Sequence, residues 1–226
     1  MTTALRSTGR PLKAPRAAAV AGILFSALLS TTLLLIWSVI PVEHSTDVPS
    51  LQQGEGTIDL ALSLVPFAAV AYLWFIGVVR DRLGEYEDKL FSTVYFGSAL
   101  LFLGMYMTCA ASFGALIHLV HLHQADEVGS NVFIFGKRLT YLVLNVYAMK
   151  MAAMFMMSTS AVAFRTGILP RWLSFTGIIM ALCVIFGAGV HRLFVLVFPA
   201  WVLLLSVVIL ITNLRMPHSA ADEGAC

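Results

Sequence analysis

The sequence predicts an all-α integral membrane protein, a bundle of six transmembrane helices with both termini in the cytoplasm. Three observations carry that prediction. Hydrophobic residues make up 59% of the 226-residue chain and charged residues only 12%, against about 25% charged in an ordinary soluble domain. Six apolar runs come close to or exceed the ~20 residues that a bilayer core requires. The lysines and arginines fall unevenly between the loops on the two sides. The same composition, with a mean hydropathy of +0.89, excludes a water-soluble globular enzyme and a disordered chain. A net charge of +2 leaves no electrostatic footprint for nucleic acid.

Residues 1–16 form a basic cytoplasmic N-terminus, residues 17–213 the membrane domain and residues 214–226 a cytoplasmic tail. The first span is Ala17–Ile40. At 24 residues it exceeds the 7–15 residues of a signal-peptide core, and no A-x-A cleavage site precedes Pro41, so it is read as an uncleaved span. The second is Ile58–Val79, with Asp59 near its start and Pro66 expected to kink it. Gly54-Glu55-Gly56 before it reads as a loop turn. The third span, Thr93–Leu119, ends among His118, His121 and His123. The fourth, Leu139–Phe164, contains Lys150. The last two, Trp172–Val190 and Leu193–Asn213, are separated only by His191 and Arg192. They must form a tight hairpin helped by Gly187 and Gly189, and Pro199 interrupts the sixth. Strands are not expected, because runs such as Leu33-Leu34-Leu35-Ile36 lack the alternation of a membrane barrel.

Orientation follows from the basic residues. Ten of them, Arg6 to Arg16, Arg80, Arg82, Lys89, Arg165, Arg171 and Arg215, lie on one side. Only Lys137, Arg138 and Arg192 lie on the other. The first side is therefore cytoplasmic, and the protein is a multi-pass component of the cell membrane. Trp37 and Tyr141 at the outer boundary, with Tyr95 and Trp172 at the inner one, agree with the interfacial preference of aromatic rings.

Small residues at four-residue spacing let helices approach closely in lipid. Gly22, Ser26 and Ser30 on the first span, Ala110 with Gly114 on the third, and Gly177 with Ala181 on the fifth have that spacing. They pack the bundle, or they form an interface with a membrane partner or a second copy through the first span.

Lys150 is the one basic residue well inside a span. Counted from Leu139 it lies about 17 Å down the helix, where an ammonium costs about 2.5–3.5 kcal/mol on insertion scales. Asp59 lies nearer the outer boundary, and Asn145 sits on the same helix as Lys150. These three are the candidates for a polar core or transport path. Lys150, Met154 and Met157 share a helical face, within a methionine-rich stretch that normally serves as adaptable packing.

Of six histidines, His44, His118, His121, His123 and His191 fall on the outer side. Imidazole binds transition metals and titrates near neutral pH, so these five are the candidates for a metal or haem site. The spacing matches no established ligand motif, and the sequence itself requires no cofactor. Three cysteines form no C-x-x-C or zinc spacing. Walker A, G-x-S-x-G, H-E-x-x-H and G-x-G-x-x-G are all absent, so no catalytic residue is assigned.

The segment Arg165-Thr166-Gly167-Ile168-Leu169-Pro170-Arg171-Trp172-Leu173 joins two spans through a proline and a boundary tryptophan. It resembles a turn of uncharacterised bacterial multi-span membrane proteins. Tyr72-Leu73-Trp74-Phe75-Ile76-Gly77-Val78-Val79-Arg80-Asp81-Arg82-Leu83-Gly84 is similar in kind. The resemblance implies a bacterial inner membrane protein and carries over no catalytic residue. The function expected is non-enzymatic: a membrane subunit, accessory or scaffold. The alternatives are a small transporter using Lys150 beneath a histidine-rich mouth, and an outer-face metal- or haem-binding redox component.

Overall fold

The computed structural model describes residues 14–39, 54–83, 89–122, 130–167 and 170–215. Among the described residues every regular element is helical and no strand occurs. The elements are α1 (Ala14–Val39), α2 (Glu55–Leu83), α3 (Lys89–Leu122), α4 (Ser130–Leu142), a π-helical stretch (Val143–Ala148), α5 (Met149–Thr166), α6 (Arg171–Gly187), a 3₁₀ turn (Arg192–Leu196) and α7 (Val197–Arg215). Five helical runs are long and apolar enough to cross a membrane: Ala19–Val39, Gly56–Arg80, Ser92–Leu119, Val132–Thr166 and Arg192–Thr212. Arg171–Gly187 is apolar but shorter.

Local chemistry explains where these helices begin and end. Gly54 takes the position ahead of α2, where its carbonyl accepts from Thr57 N and Ile58 N at 3.0 Å each. The helix therefore opens at Glu55, and Gly56 lies in its first turn, so only Gly54 of the expected Gly54–Gly56 turn lies outside the helix. Likewise α4 begins at Ser130, nine residues before the expected Leu139, and carries Lys137 and Arg138 within it. Their charges lower the hydropathy without breaking the helix, since both are good helix formers and extend their heads toward water.

After α5, Gly167 adopts a left-handed φ of 67° and its N–H returns to the Ala163 carbonyl at 3.1 Å, a conformation that costs glycine little. Pro170 then stands just ahead of α6, its carbonyl accepting from Leu173 N at 2.9 Å. The α6–α7 hairpin turns at Gly189, φ 88°, and His191 Nδ1 accepts from Leu193 N at 3.3 Å to open the 3₁₀ turn. Pro199 proves to be the third residue of α7, directly after the 3₁₀ turn, and the helical run Arg192–Thr212 continues through it. It does not interrupt the span. Pro66, by contrast, is interior to α2.

The helices pack around a core of aromatic rings contributed by five of them. Phe198 of α7 lies 4.7 Å from Phe102 of α3, 5.9 Å from Phe25 of α1, 6.0 Å from Tyr72 of α2 and 6.2 Å from Phe155 of α5, ring centroid to centroid. All four contacts are edge-to-face, the arrangement that ring quadrupoles favour. Small residues bring the helices together around this cluster. A Cβ on Gly22 would collide with Ser206 of α7 and Phe75 of α2, and one on Gly177 would collide with Ser160 of α5 and Trp201 of α7. Gly22 and Ser26 are buried inside the bundle. The α1 stripe is thus occupied by α2 and α7 at Gly22 and buried at Ser26, and these two positions are not open to a second copy; Ser30 is half-buried beside them. Gly114 faces Leu62 of α2.

Serines and threonines inside the helices bond their own backbone. Ser26 donates to the Gly22 carbonyl, Thr32 to Leu28, Thr108 to Gly104, Ser158 to Met154 and Thr159 to Phe155, all at 2.7–2.9 Å. A hydroxyl satisfied this way is tolerated where no water reaches.

Candidate functional site

The end of the bundle marked by Trp37, Arg138 and Arg192 holds a cavity of about 810 Å³ between α1, α2, α3 and α4. Such a volume lies within the range of ordinary small-molecule sites. Its walls belong to two separate apolar clusters. Leu33, Val65 and Tyr106 come from the main core, and Phe113 from a smaller cluster with Ile58, Leu116, Ile117 and Phe133. The cavity is therefore the gap between them.

One face of α4 and the π stretch supplies much of the lining. Ile134, Lys137, Tyr141 and Leu144 recur at spacings of three and four, with Thr140 and Asn145 adjoining them, which places the set along one side of a helix. Lys137 and Arg138 are exposed, while Thr140, Leu144 and Asn145 are half-buried, so the lining grades from cationic at the rim to apolar within. The π geometry brings Met149 N back to the carbonyl of Leu144, five residues earlier. Wide turns of this kind often occur at functional sites. Asn145 Nδ2 donates to the Tyr141 carbonyl at 3.2 Å, and the Tyr141 hydroxyl donates to the Gly189 carbonyl at 3.1 Å.

Two polar groups on the wall lack such partners. The Tyr106 side chain is 3% exposed, and its hydroxyl faces Thr32 without a hydrogen bond of good geometry. Thr140 Oγ1 is buried and unpartnered. Buried polar atoms without a partner are uncommon in folded proteins; both residues line the cavity, with the two oxygens themselves buried. Cys109 Sγ, also on the wall, approaches the Thr140 carbonyl at 3.6 Å.

Cations gather at the rim. The Arg138 guanidinium lies over the Tyr141 ring at 5.7 Å and that of Arg192 over the Trp37 ring at 5.2 Å. Tyr141 and Trp37 both line the cavity, and so do Lys137 and Arg138. The three basic residues that the sequence separates from the other side are thus all at or beside one opening.

The other sequence candidates fall elsewhere. Lys150 does not line the cavity. It is exposed on the outer surface of α5, in one stripe with the exposed Tyr147, Met154 and Phe164. Lys150 and Met154 of the expected shared face are exposed, whereas Met157 is half-buried and packs against the main core. Asp59 is exposed on the first turn of α2 and lies outside the lining set, so the polar path expected through Lys150 and Asp59 is not assembled. Of the three polar-core candidates only Asn145 reaches the cavity. Ala110 lines it too, and Gly114 packs on α2 beside it.

His118 and His191 are exposed. His121 lies in the last turn of α3, while His44 and His123 lie outside the described residues. Among the described residues no three His, Cys, Asp or Glu side chains are grouped to hold a metal ion.

Compared with known proteins, the chain matches no family model, no curated protein and no solved structure.

Proposed function

We propose that the chain is a six-span subunit of a bacterial inner membrane assembly, with both termini cytoplasmic, held to a different membrane protein through the outer face of α5. The observation that carries this reading is Lys150. It is exposed on the bundle surface at the middle of the 35-residue apolar run Val132–Thr166. Ionisable residues within membrane helices almost always face the bundle interior, an aqueous cavity or a charged partner. The first two are not where Lys150 lies, and a carboxylate from a neighbouring helix supplies the third.

A second copy of this chain cannot provide that carboxylate. Its one acidic residue within the described apolar runs, Asp59, is the fourth residue of the run Gly56–Arg80. That is about 14 Å from the run's centre at 1.5 Å per residue. The partner chemistry implied is a helix of another protein with Asp or Glu at mid-membrane depth. Six spans are consistent with α6, because its 17 residues reach the short end of the range of about 17–25 that crosses a bilayer.

Dicyclohexylcarbodiimide activates membrane-buried carboxylates and so tests the contact in native membranes. The expected product is an amide between Lys150 and an Asp or Glu of another polypeptide, found by mass spectrometry and lost in Lys150→Met. Native mass in mild detergent is expected to exceed 24.6 kDa for the wild type and for Lys150→Arg, and to fall to the monomer for Lys150→Met. A wild-type monomer, an unchanged assembly in Lys150→Met, or a cross-link to Asp59 of a second copy overturns the reading.

A further inference from the structure

We infer that the cavity at the Trp37 end is a binding site for a single-chain anionic amphiphile, its carboxylate or phosphate-type head at Lys137 and Arg138 and its apolar chain in the gap between the two core clusters. This site is independent of the α5 face, because none of the lining residues lies in Met149–Thr166.

Three observations specify the ligand. The interior wall is largely aliphatic and aromatic, through Leu33, Ile36, Leu62, Val65 and Phe113, so an apolar body gains by leaving water. At the rim Lys137 and Arg138 are exposed, and among the described residues no acidic side chain lines the cavity. An anionic oxygen there takes charge-assisted hydrogen bonds, and a cationic head is repelled. Arg192, stacked on the Trp37 ring, adds a third positive charge beside the opening.

Finally, about 810 Å³ falls within the ~300–1,000 Å³ of sites for drug-sized molecules. One chain suits that space, and a two-chain phospholipid would have to leave much of itself outside.

Trp37 lies on the wall and reports on occupancy. The protein is reconstituted in nanodiscs of zwitterionic lipid and titrated with brominated dodecanoate, whose bromine quenches nearby indole fluorescence. Saturable quenching is expected, and its saturable component should vanish in Trp37→Phe. Ala110→Phe, which fills the cavity, should abolish it. The double variant Lys137→Gln/Arg138→Gln should weaken binding at least tenfold, and brominated dodecanol should bind the wild type about as weakly. Each methylene removed from the chain should weaken binding about fourfold.

Circular dichroism of each variant distinguishes lost binding from lost folding, and Lys137→Arg, which keeps the charge, should bind as the wild type does. Quenching that rises without saturation equally in every variant means partition into the bilayer only and overturns the inference. Equal affinity for the acid and the alcohol overturns the anionic head. If phosphatidylglycerol added to the discs displaces the probe as well as free dodecanoate does, the occupant is a bilayer lipid, and the single-chain assignment is overturned.

Discussion

The Tyr141 hydroxyl donates to the Gly189 carbonyl at 3.1 Å, joining the cavity-lining face of α4 to the turn between α6 and α7 across 48 residues of sequence. Gly189 is itself in a left-handed conformation, so the bond fixes a carbonyl that the turn has already aimed. Tyr141→Phe keeps the ring under Arg138 and removes only the donor. A loss of about 1 kcal/mol is expected, read as a lowered thermal unfolding midpoint in nanodiscs, with faster amide exchange at Val190, whose N–H bonds to the Gly187 carbonyl at 3.0 Å.

Phe198 touches rings from four other helices, and its removal leaves a void that none of them can fill alone. Phe198→Ala should cost about 3–5 kcal/mol by the same unfolding assay. Phe175→Ala offers the contrast. Phe175 is an exposed residue of α6 whose ring meets Phe164 edge-to-face at 5.3 Å, and its loss should cost no more than about 0.5–1.5 kcal/mol.

The close approach of α6 to α5 and α7 depends on Gly177, where any side chain meets Ser160 and Trp201. Gly177→Leu should destabilise by about 1–3 kcal/mol or more, the range for overpacking a filled core. Ser206→Ala makes the opposite prediction. Its hydroxyl is buried without a partner, so deleting it should leave stability unchanged or raised. A marked loss in Ser206→Ala would show that the hydroxyl bonds a group or water essential to the fold.

The orientation is checked by cysteine labelling. With Cys109, Cys183 and Cys226 replaced by serine or alanine, Ser45→Cys should react with an impermeant maleimide from outside intact cells. Ser7→Cys should react only after permeabilisation. The reverse pattern would invert the topology that the basic residues indicate.

Much of the fold was legible because membrane insertion rests on local properties. Hydropathy located each helix to within a few residues at most ends. It failed at the start of α4, where Lys137 and Arg138 made helical sequence look like a loop. That one displacement hid the site, since the spacing Lys137, Thr140, Tyr141, Leu144 is a helical face only if the helix has begun by residue 137, and it begins at Ser130. The isolated placement of Lys137, Arg138 and Arg192 opposite ten other basic residues was the available signal. Read as topology alone, it did not show that the three share one opening. Tyr106 and Thr32 carried no signal at all, because a tyrosine or threonine in an apolar run looks the same whether it faces a cavity or a neighbouring helix.

Lys150 divides the two kinds of information most clearly. Its depth in the span follows from counting residues, because the rise per residue of a helix is constant. Its direction does not, because the rotation of a helix about its axis is set by how its side chains fit those of its neighbours. The sequence by itself determined a helical membrane protein, where its helices run, and which residues are polar at depth. Only the packing of α1, α2, α3 and α4 decided that Asn145 would face a cavity, and only the packing of α5 on α3 and α6 decided that Lys150 would face outward.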